Sequence, residues 1–240
     1  MSTPPITTEA SARLARVRDL IASACRSAGR DPGSVQLVAV SKYTDVAGVV
    51  ALAGAGQRLF GENRVQQALP KIEALASQGL EWHMVGHVQS NKARLAAEAF
   101  AMVESVDSPA LAETLSRTAL EAGSKLPVLL QVNVDDDPHK HGFYTGQIGA
   151  LHAAISGLGG LQVEGLMTIG ALPGGLEGAR PTFAALRRLR DHLDAMGVAP
   201  PLRHLSMGMS ADYEVAISEG ATIVRVGRAL FEPEPNSNVV

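Results

Sequence analysis

The residue with the clearest chemical potential is a lysine that follows an apolar run. Residues 37–41 read Leu-Val-Ala-Val-Ser, which predicts a strand buried on both faces, and Lys42 comes directly after it. A lysine at the mouth of such a strand is partly desolvated, so its neutral amine is available as a nucleophile that condenses with aldehydes to form Schiff bases. The alternative, which position alone favours, is a lysine whose stem packs on the strand end while its ammonium reaches solvent.

A second group of residues near the end of the chain is suited to binding an anion. Residues 206–210 read Ser-Met-Gly-Met-Ser between a predicted strand and a predicted helix, and Gly227 and Arg228 follow the last predicted strand. Backbone N–H groups at a helix N-terminus bind phosphate, and glycine lets the backbone approach it closely. Ordinary turn glycines and an N-capping serine are the alternative, and composition does not separate the two.

The histidines do not predict a metal site. His83 and His87 are four residues apart on a strand-like run, which separates them by about 13 Å and prevents them from binding one ion. His139 and His141 flank Lys140 in a loop rich in proline and aspartate, which is typical of a solvated segment.

Short β-rich runs alternate with longer helical stretches along most of the chain. The predicted strands are residues 35–42, 58–63, 81–86, 101–107, 126–135, 161–170, 203–208 and 221–226. The predicted helices include residues 8–28, 65–77, 91–99, 109–122, 147–156, 181–196 and 211–219. Ser90, Ser108, Thr145 and Ser210 each precede one of these helical runs and are predicted N-caps.

Strands that alternate with helices imply right-handed βαβ units and a parallel sheet. Eight strands in 240 residues match a (β/α)8 barrel (TIM barrel) of about 250 residues, which we favour over a doubly wound open sheet. We expect a single domain over residues 1–240, with an extra N-terminal helix at about 8–28, the barrel at about 35–231 and a short tail at 232–240. In such a barrel the active site lies at the C-terminal ends of the strands, where Lys42 and Gly227 both fall.

Composition excludes several classes of function. The 21 Lys and Arg residues against 24 Asp and Glu residues give a net charge of −3, so there is no basic excess to bind nucleic acid. A single cysteine, Cys25, excludes an intramolecular disulfide and a Cys-rich zinc site. No signal peptide or apolar run of about 20 residues is present, so we expect a cytoplasmic protein that does not enter a membrane.

Six motifs spread along the chain resemble successive signatures of one family. They read VSK at residues 40–42, FGENRVQ at 60–66, WHMVGHVQSNK at 82–92, GLM at 165–167, LSMGMSAD at 205–212 and VRVG at 224–227. With these motifs, the chain from about residue 10 to Phe231 resembles the pyridoxal phosphate (PLP) homeostasis family, also called the YggS/PROSC family. The resemblance implies an alanine racemase-like barrel that binds the vitamin B6 cofactor PLP.

The resemblance also assigns roles to individual residues. It implies that Lys42 forms the Schiff base, that Arg225 faces the pyridine nitrogen, and that Ser206, Gly227 and the backbone of Arg228 hold the phosphate. Ser210 is a further phosphate donor, Asn63 and His83 line the cofactor pocket, and Met167 packs near the ring. No catalytic residue is assigned.

The function implied by the resemblance is intracellular PLP homeostasis: reversible capture of the cofactor, buffering, and delivery to apo PLP-dependent enzymes without catalytic turnover. The first alternative is a PLP-dependent amino-acid racemase or lyase. Racemases of this fold take a second base, a tyrosine, from the additional β domain of a partner subunit, and none of Tyr43, Tyr144 and Tyr213 lies at an obvious strand mouth. The absence of that domain predicts a monomer. The second alternative is a Schiff-base enzyme acting on a phosphorylated sugar without PLP.

Two positions depart from the family pattern. Position 228 is usually Thr or Ser in the family and is Arg here. A hydroxyl contact to the phosphate would be lost, while the backbone N–H remains and a guanidinium could substitute for the hydroxyl. The Lys-Ser-Gly stretch of the family reads Lys140-His141-Gly142. No role is therefore carried over to Lys140.

Overall fold

The computed structural model describes residues 6–170 and 178–232, and its strands form one parallel sheet that closes into a barrel. The strands are β1 (Gln36–Val40), β2 (Leu59–Glu62), β3 (Glu81–Met84), β4 (Met102–Val106), β5 (Leu126–Asn133), β6 (Phe143–Tyr144), β7 (Leu161–Met167), β8 (His204–Ser206) and β9 (Ile223–Val226). The ring runs β1-β2-β3-β4-β5-β7-β8-β9 and closes between β9 and β1. The predicted eight-stranded barrel is confirmed, and an open sheet is excluded.

The helices that alternate with these strands pack on the outside of the barrel. They are α1 (Ile6–Ser27), α2 (Val46–Gly54), α3 (Val65–Ala74), α4 (Ala93–Ala99), α5 (Pro109–Glu121), α6 (Ile148–Ser156), α7 (Arg180–Met196), α8 (Tyr213–Ser218) and α9 (Arg228–Phe231). No helix in the described ranges is long and apolar enough to cross a membrane.

Several predicted boundaries differ from the observed ones. Most strands are shorter than predicted because the polar residues that follow them leave the sheet and form the turns of the rim. Two short elements, β6 and α9, were not predicted, since two to four residues carry no periodic signal. The predicted tail at 232–240 lies outside the described residues except for Glu232.

Of the predicted helix caps, only one acts as expected. Ser108 accepts a hydrogen bond from the Leu111 N–H at the start of α5, whereas Ser90 opens a short 3-10 turn and Thr145 lies ahead of α6, which begins without a side-chain cap. Ser210 accepts from the amide of Gly227, so it caps the start of α9 instead of the nearby α8.

The N-terminal helix α1 lies across the outer helices that flank β1 and β9. It packs on α2, α8 and α9 through an apolar stripe that includes Leu14, Val17 and Cys25. Arg13 Nε donates to the carbonyl of Leu230 at 2.9 Å, which ties α1 to α9. The helix therefore fixes, from outside, the segment that follows Gly227.

The barrel interior holds a small apolar layer that is separate from the core between strands and helices. This layer consists of Val38, Val40, Val85, Met102, Leu129, Met167 and Ile223. Strands that are buried on both faces in this way read as continuous apolar runs, which is why the sequence identified them.

A buried ion pair on the outside of the barrel holds the turn that carries Lys42. Lys71 Nζ, from α3, lies 2.7 Å from a carboxylate oxygen of Glu62 and 2.7 Å from the carbonyl oxygen of Ser41. The Ser41 hydroxyl also donates to Glu62, at 2.7 Å. Glu62 is fully buried and Lys71 nearly so, so the residue before Lys42 is fixed through both its backbone and its side chain.

Replacing Lys71 by methionine should lower the free energy of unfolding by about 3–5 kcal/mol, because it leaves the Glu62 carboxylate buried without its cation. Urea unfolding followed by circular dichroism measures this loss. A Lys71→Met/Glu62→Gln variant should recover most of it, and Lys125→Met, at an exposed lysine, should stay within about 0.5 kcal/mol of wild type. Equal stability of Lys71→Met and Lys125→Met would contradict the assigned role.

Candidate cofactor site

A cavity of about 640 Å³ opens at the C-terminal end of the barrel, within the range of small-ligand sites. Its lining residues are Val40, Lys42, Tyr43, Asn63, Val85, Ile169, Gly170, Met209, Ser210, Ala211, Asp212, Arg225, Gly227 and Arg228. Six of the nine residues predicted to bind a cofactor are among them: Lys42, Asn63, Ser210, Arg225, Gly227 and Arg228.

Lys42 lies in the turn between β1 and α2 and points its amine into this end of the barrel. Its Nζ atom lies 4.7 Å from the ring centroid of Tyr43, in a cation–π contact. The turn is closed by a 3.1 Å hydrogen bond from the Thr44 N–H to the Ser41 carbonyl, which Lys71 also holds. The amine is therefore partly buried on a backbone that two independent contacts fix.

Elsewhere in the cavity lining, backbone amides converge on the hydroxyl of Ser210. The Gly227 N–H points at Ser210 Oγ at 3.2 Å, and the Ala229 N–H points at the same atom at 3.5 Å. A Cβ atom at Gly227 would lie 3.1 Å from the Val40 carbonyl oxygen, so glycine permits α9 to start close against β1. In this structure the two N–H groups donate to Ser210 Oγ. A phosphate oxygen placed among them would accept from the hydroxyl and from the N–H groups, and we call this set of donors the cradle.

The loop that carries Ser210 is itself held in place by backbone geometry. Asp212 accepts a 2.6 Å hydrogen bond from the Met209 N–H. Gly208 has φ +95°, and a Cβ atom there would lie 2.6 Å from Ala216 Cβ. Only glycine satisfies both requirements, so the loop can turn directly from β8 to α8 beneath the cavity.

Arg225, on β9, carries a buried guanidinium at the base of the cavity. Its Nη1 donates to Ser206 Oγ at 2.5 Å and its Nη2 donates to the Thr168 carbonyl at 2.8 Å. Burial lowers the pKa of Arg225, and the nearby carboxylates of Glu104 and Asp212 counteract that effect. The guanidinium remains the fixed positive charge of the site.

Below Arg225, a chain of polar groups crosses the barrel. Ser206 donates to Glu104 at 2.5 Å, and because β8 and β4 are not neighbours this bond spans the interior. Glu104 in turn bonds His83 Nδ1 at 2.7 Å, and His83 Nε2 lies 3.2 Å from Glu81, whose side chain is exposed at the opposite end. Hydrogen bonds thus connect the cavity with the far end of the barrel.

The ionisation states of these polar groups follow from the hydrogen bonds and charges that each group contacts. Burial alone lowers the pKa of His83, but hydrogen bonds to Glu104 and Glu81 raise it to about 9. Burial alone raises the pKa of Glu104, and its contacts with His83, Arg225 and Ser206 more than reverse this. The interior therefore holds Glu104 as an anion between two cations.

Three predicted cofactor residues lie in the barrel interior, away from the cavity lining. His83 and Ser206 belong to the polar chain beneath Arg225, and Met167 is fully buried in the apolar layer. They lie there because their side chains project inward from β3, β8 and β7. The side chain of Ser206 is already used by Arg225 and Glu104.

Sequence reasoning missed two features of the site. Tyr43 lies at the cavity mouth, contrary to the expectation that no tyrosine lies at a strand mouth. Glu104 was not singled out, although a lone carboxylate inside the apolar run of β4 is a signal of a buried ion pair.

Comparison with known proteins places this arrangement in a family. Residues 13–235 match the alanine racemase N-terminal domain family. The chain is 40% identical over 220 residues to the pyridoxal phosphate homeostasis protein of Aquifex aeolicus, covering 91% of this chain and 96% of that protein. It is 44% identical over 218 residues to the protein of the same name in Pseudomonas aeruginosa, covering 91% and 93%. The chain belongs to the pyridoxal phosphate homeostasis family. The resemblance found in its motifs is confirmed.

Solved structures agree with this membership. PipY of Synechococcus elongatus, in a structure described as having PLP bound, is 41% identical with a TM-score of 0.81, covering 92% of this chain and 99% of that one. The alanine racemase of Clostridium difficile is 15% identical with a TM-score of 0.70. The racemase shares the barrel fold with this PLP homeostasis family member, and the match covers 58% of the racemase chain.

The stability of the protein should fall as the pH rises from about 6.5 to about 9. His83 binds its proton more tightly in the folded chain, with a pKa near 9 against an ordinary value of 6.5. Its contribution is therefore complete below about pH 6.5 and is lost as the pH rises through about 9, amounting to at most about 3 kcal/mol.

Denaturant unfolding at several pH values tests this dependence. The stability difference between wild type and His83→Gln should shrink over this pH range, whereas His192→Gln, at an exposed histidine, should follow wild type throughout. Titration of the His83 ring by NMR in the folded wild type gives an independent check, and a midpoint near 6.5 would contradict the prediction.

Proposed function

We propose that this protein binds PLP in the cavity at the C-terminal end of the barrel, holds it covalently through Lys42, and serves intracellular PLP homeostasis. The observation that carries the proposal is that one cavity brings together a lysine amine, a cradle of amide and hydroxyl donors, and a buried guanidinium. The relatives named pyridoxal phosphate homeostasis protein and the PLP bound in PipY support it.

The donor set fits the chemical groups of this cofactor. PLP presents an aldehyde, a phosphate and a pyridine nitrogen on an apolar ring, and the cavity offers a partner for each of them. Val40 and Val85 provide apolar wall, and the cradle at Ser210 and Gly227 is a match for a phosphate rather than a carboxylate, since several donors converge there.

Lys42 supplies the covalent attachment in this proposal. The Lys42 amine would be the nucleophile that condenses with the PLP aldehyde with loss of one water, and another amine would displace it by the same reversible chemistry. The fixed turn at Ser41 keeps the amine at the cavity, and the Tyr43 ring covers one side of it.

The other cavity residues hold the cofactor in orientation. Ser210, together with the amides at Gly227 and Arg228, binds the phosphate, and the Arg228 guanidinium adds a charge where the family usually has a hydroxyl. Asn63 and Arg225 also line the cavity, and Arg225 would face the pyridine nitrogen.

We assign His83, Ser206 and Met167 to supporting roles under the cofactor. Ser206 orients Arg225 by accepting its Nη1 donor, His83 keeps Glu104 charged, and Met167 fills the interior beside them. Ser206 and His83 would thus act on the cofactor through Arg225.

Storage and delivery without turnover is the function we favour over racemisation or elimination. The permanent charge of Arg225 opposes protonation of a pyridine nitrogen that faces it, which weakens the cofactor as an electron sink. Racemases of this fold have that arginine too, so the charge by itself does not separate a carrier from a racemase. The relatives' name also indicates a regulatory role. We propose that the cofactor is handed to apo PLP-dependent enzymes in the cytoplasm, whose reducing conditions suit the unpaired, buried Cys25.

The test is the visible absorbance spectrum of the purified protein with added PLP. Wild type should show an absorbance band of a PLP–lysine adduct, Lys42→Ala should lack it, and borohydride should fix one cofactor on the peptide that contains Lys42. Lys125→Ala, at an exposed surface lysine, is the matched control and should behave as wild type.

Two outcomes would overturn parts of the proposal. A wild type that stays colourless with PLP would reject the cofactor and bring forward a Schiff base with a phosphorylated sugar. Turnover of an amino acid in racemase or lyase assays of the PLP-loaded protein would show that the protein is an enzyme and reject the carrier function.

The chain should be a monomer in solution. Light scattering at working concentration should give a mass near 25.1 kDa, and a mass near twice that value would reject this part of the proposal.

A further inference from the structure

We propose that His87, Asp107 and His141 form a binding site for one late first-row divalent metal ion, such as Zn²⁺. Each residue offers one ligand atom, and the three atoms lie within 4.8 Å of one another. This site does not depend on the function proposed for the cavity, because none of its residues lines that cavity.

The three side chains already share contacts. His87 Nδ1 lies 2.6 Å from Asp107 Oδ2, and His141 Nδ1 lies 3.8 Å from the same oxygen. The two imidazole rings are stacked, with centroids 4.0 Å apart and planes 12° apart. One carboxylate oxygen therefore faces a nitrogen of each ring.

Three separate segments of the barrel rim hold these residues in position. His87 follows β3, Asp107 follows β4, and His141 lies between β5 and β6. The first two segments are tied by the Ser105 hydroxyl, which donates to the Gly86 carbonyl at 2.6 Å.

The segment that carries His141 is anchored from inside the barrel. Gln131 Nε2 donates to the His141 carbonyl at 3.0 Å. Gly142 has φ +127°, and a Cβ atom there would lie 2.7 Å from the Asn133 backbone nitrogen, so the chain passes close against β5. The backbone of His141 is thus fixed, while its side chain is mostly exposed.

Burial and donor type both favour a metal ion. The Asp107 side chain is only 7% exposed, whereas His87 and His141 are 40% and 63% exposed, which leaves an open path for an ion. Two imidazoles and one carboxylate are the ligand types that Zn²⁺ and its neighbours in the series prefer. Binding one ion at the usual ligand distances of about 2.0–2.2 Å would require the two exposed rings to rotate, and a water would complete a four-coordinate site.

The sequence did not predict this site because ligands were sought between neighbours along the chain. His83 and His87 cannot share an ion, and the structure confirms that they do not meet, since His83 points into the barrel. His87 instead meets His141, 54 positions later. His141 is also the position where the chain departs from its family's usual serine.

Calorimetric titration of the untagged, full-length protein with Zn²⁺ tests the proposal. We expect one ion per chain in wild type and an affinity at least about 10-fold lower in His141→Ser and in His87→Ala. Co²⁺ should give a visible absorbance band in wild type that Zn²⁺ abolishes and that both variants lack.

His139→Ala is the matched control, since His139 is exposed in the same loop but lies outside the cluster. It should bind Zn²⁺ as wild type does. All variants are compared at the same PLP content, so that Zn²⁺ bound by the cofactor contributes equally to each titration. Saturating Zn²⁺ should raise the Tm of wild type and His139→Ala but not of His141→Ser. Equal Zn²⁺ affinity in wild type and His141→Ser, or no binding by wild type, would overturn the proposal.

Discussion

A positive charge buried inside a closed barrel needs acceptors on every side, because an unpaired ion there costs several kcal/mol. Arg225 obtains them from the Thr168 carbonyl and from Ser206, and through Ser206 from Glu104 on the opposite wall. Glu104 is in turn a buried anion, and His83 supplies its second cation. The charges in the barrel interior are thus arranged around Arg225. Among these hydrogen-bonded side chains, Arg225 is the one that also lines the cavity.

The rim above this interior is built by contacts that reach inward from the outer helices. Lys71 of α3 holds the Ser41 carbonyl before Lys42, and Arg13 of α1 holds the Leu230 carbonyl beyond Gly227. Both contacts fix backbone directly beside a group of the site. Helices on the outside therefore determine the geometry of a cavity that they do not line.

Much of this could be predicted from local patterns. Apolar runs and helix signals gave the barrel, because strands buried on both faces are continuously apolar. Lys42 and Gly227 could be placed at the rim because polar residues after such runs fall at the C-terminal ends of parallel strands. The contact partners of Ser206 could not be predicted. The family resemblance assigned Ser206 to the phosphate, and no local pattern connects it with the carboxylate of Glu104, 102 positions earlier in the sequence. Two-residue β6 and four-residue α9 were missed because they are too short to show a period.

By itself, the sequence determined the fold class, the end of the barrel that carries the site, and the lysine and glycine placed there, since each follows from the order of residues within one βα unit. Only the tertiary structure decided which side chains meet across the barrel. It brought Ser206 to Glu104, Ser210 to Gly227, and His87 to His141. The physical reason is closure: the curvature and register of eight strands set which inward and rim positions face each other, and no local pattern records those pairings.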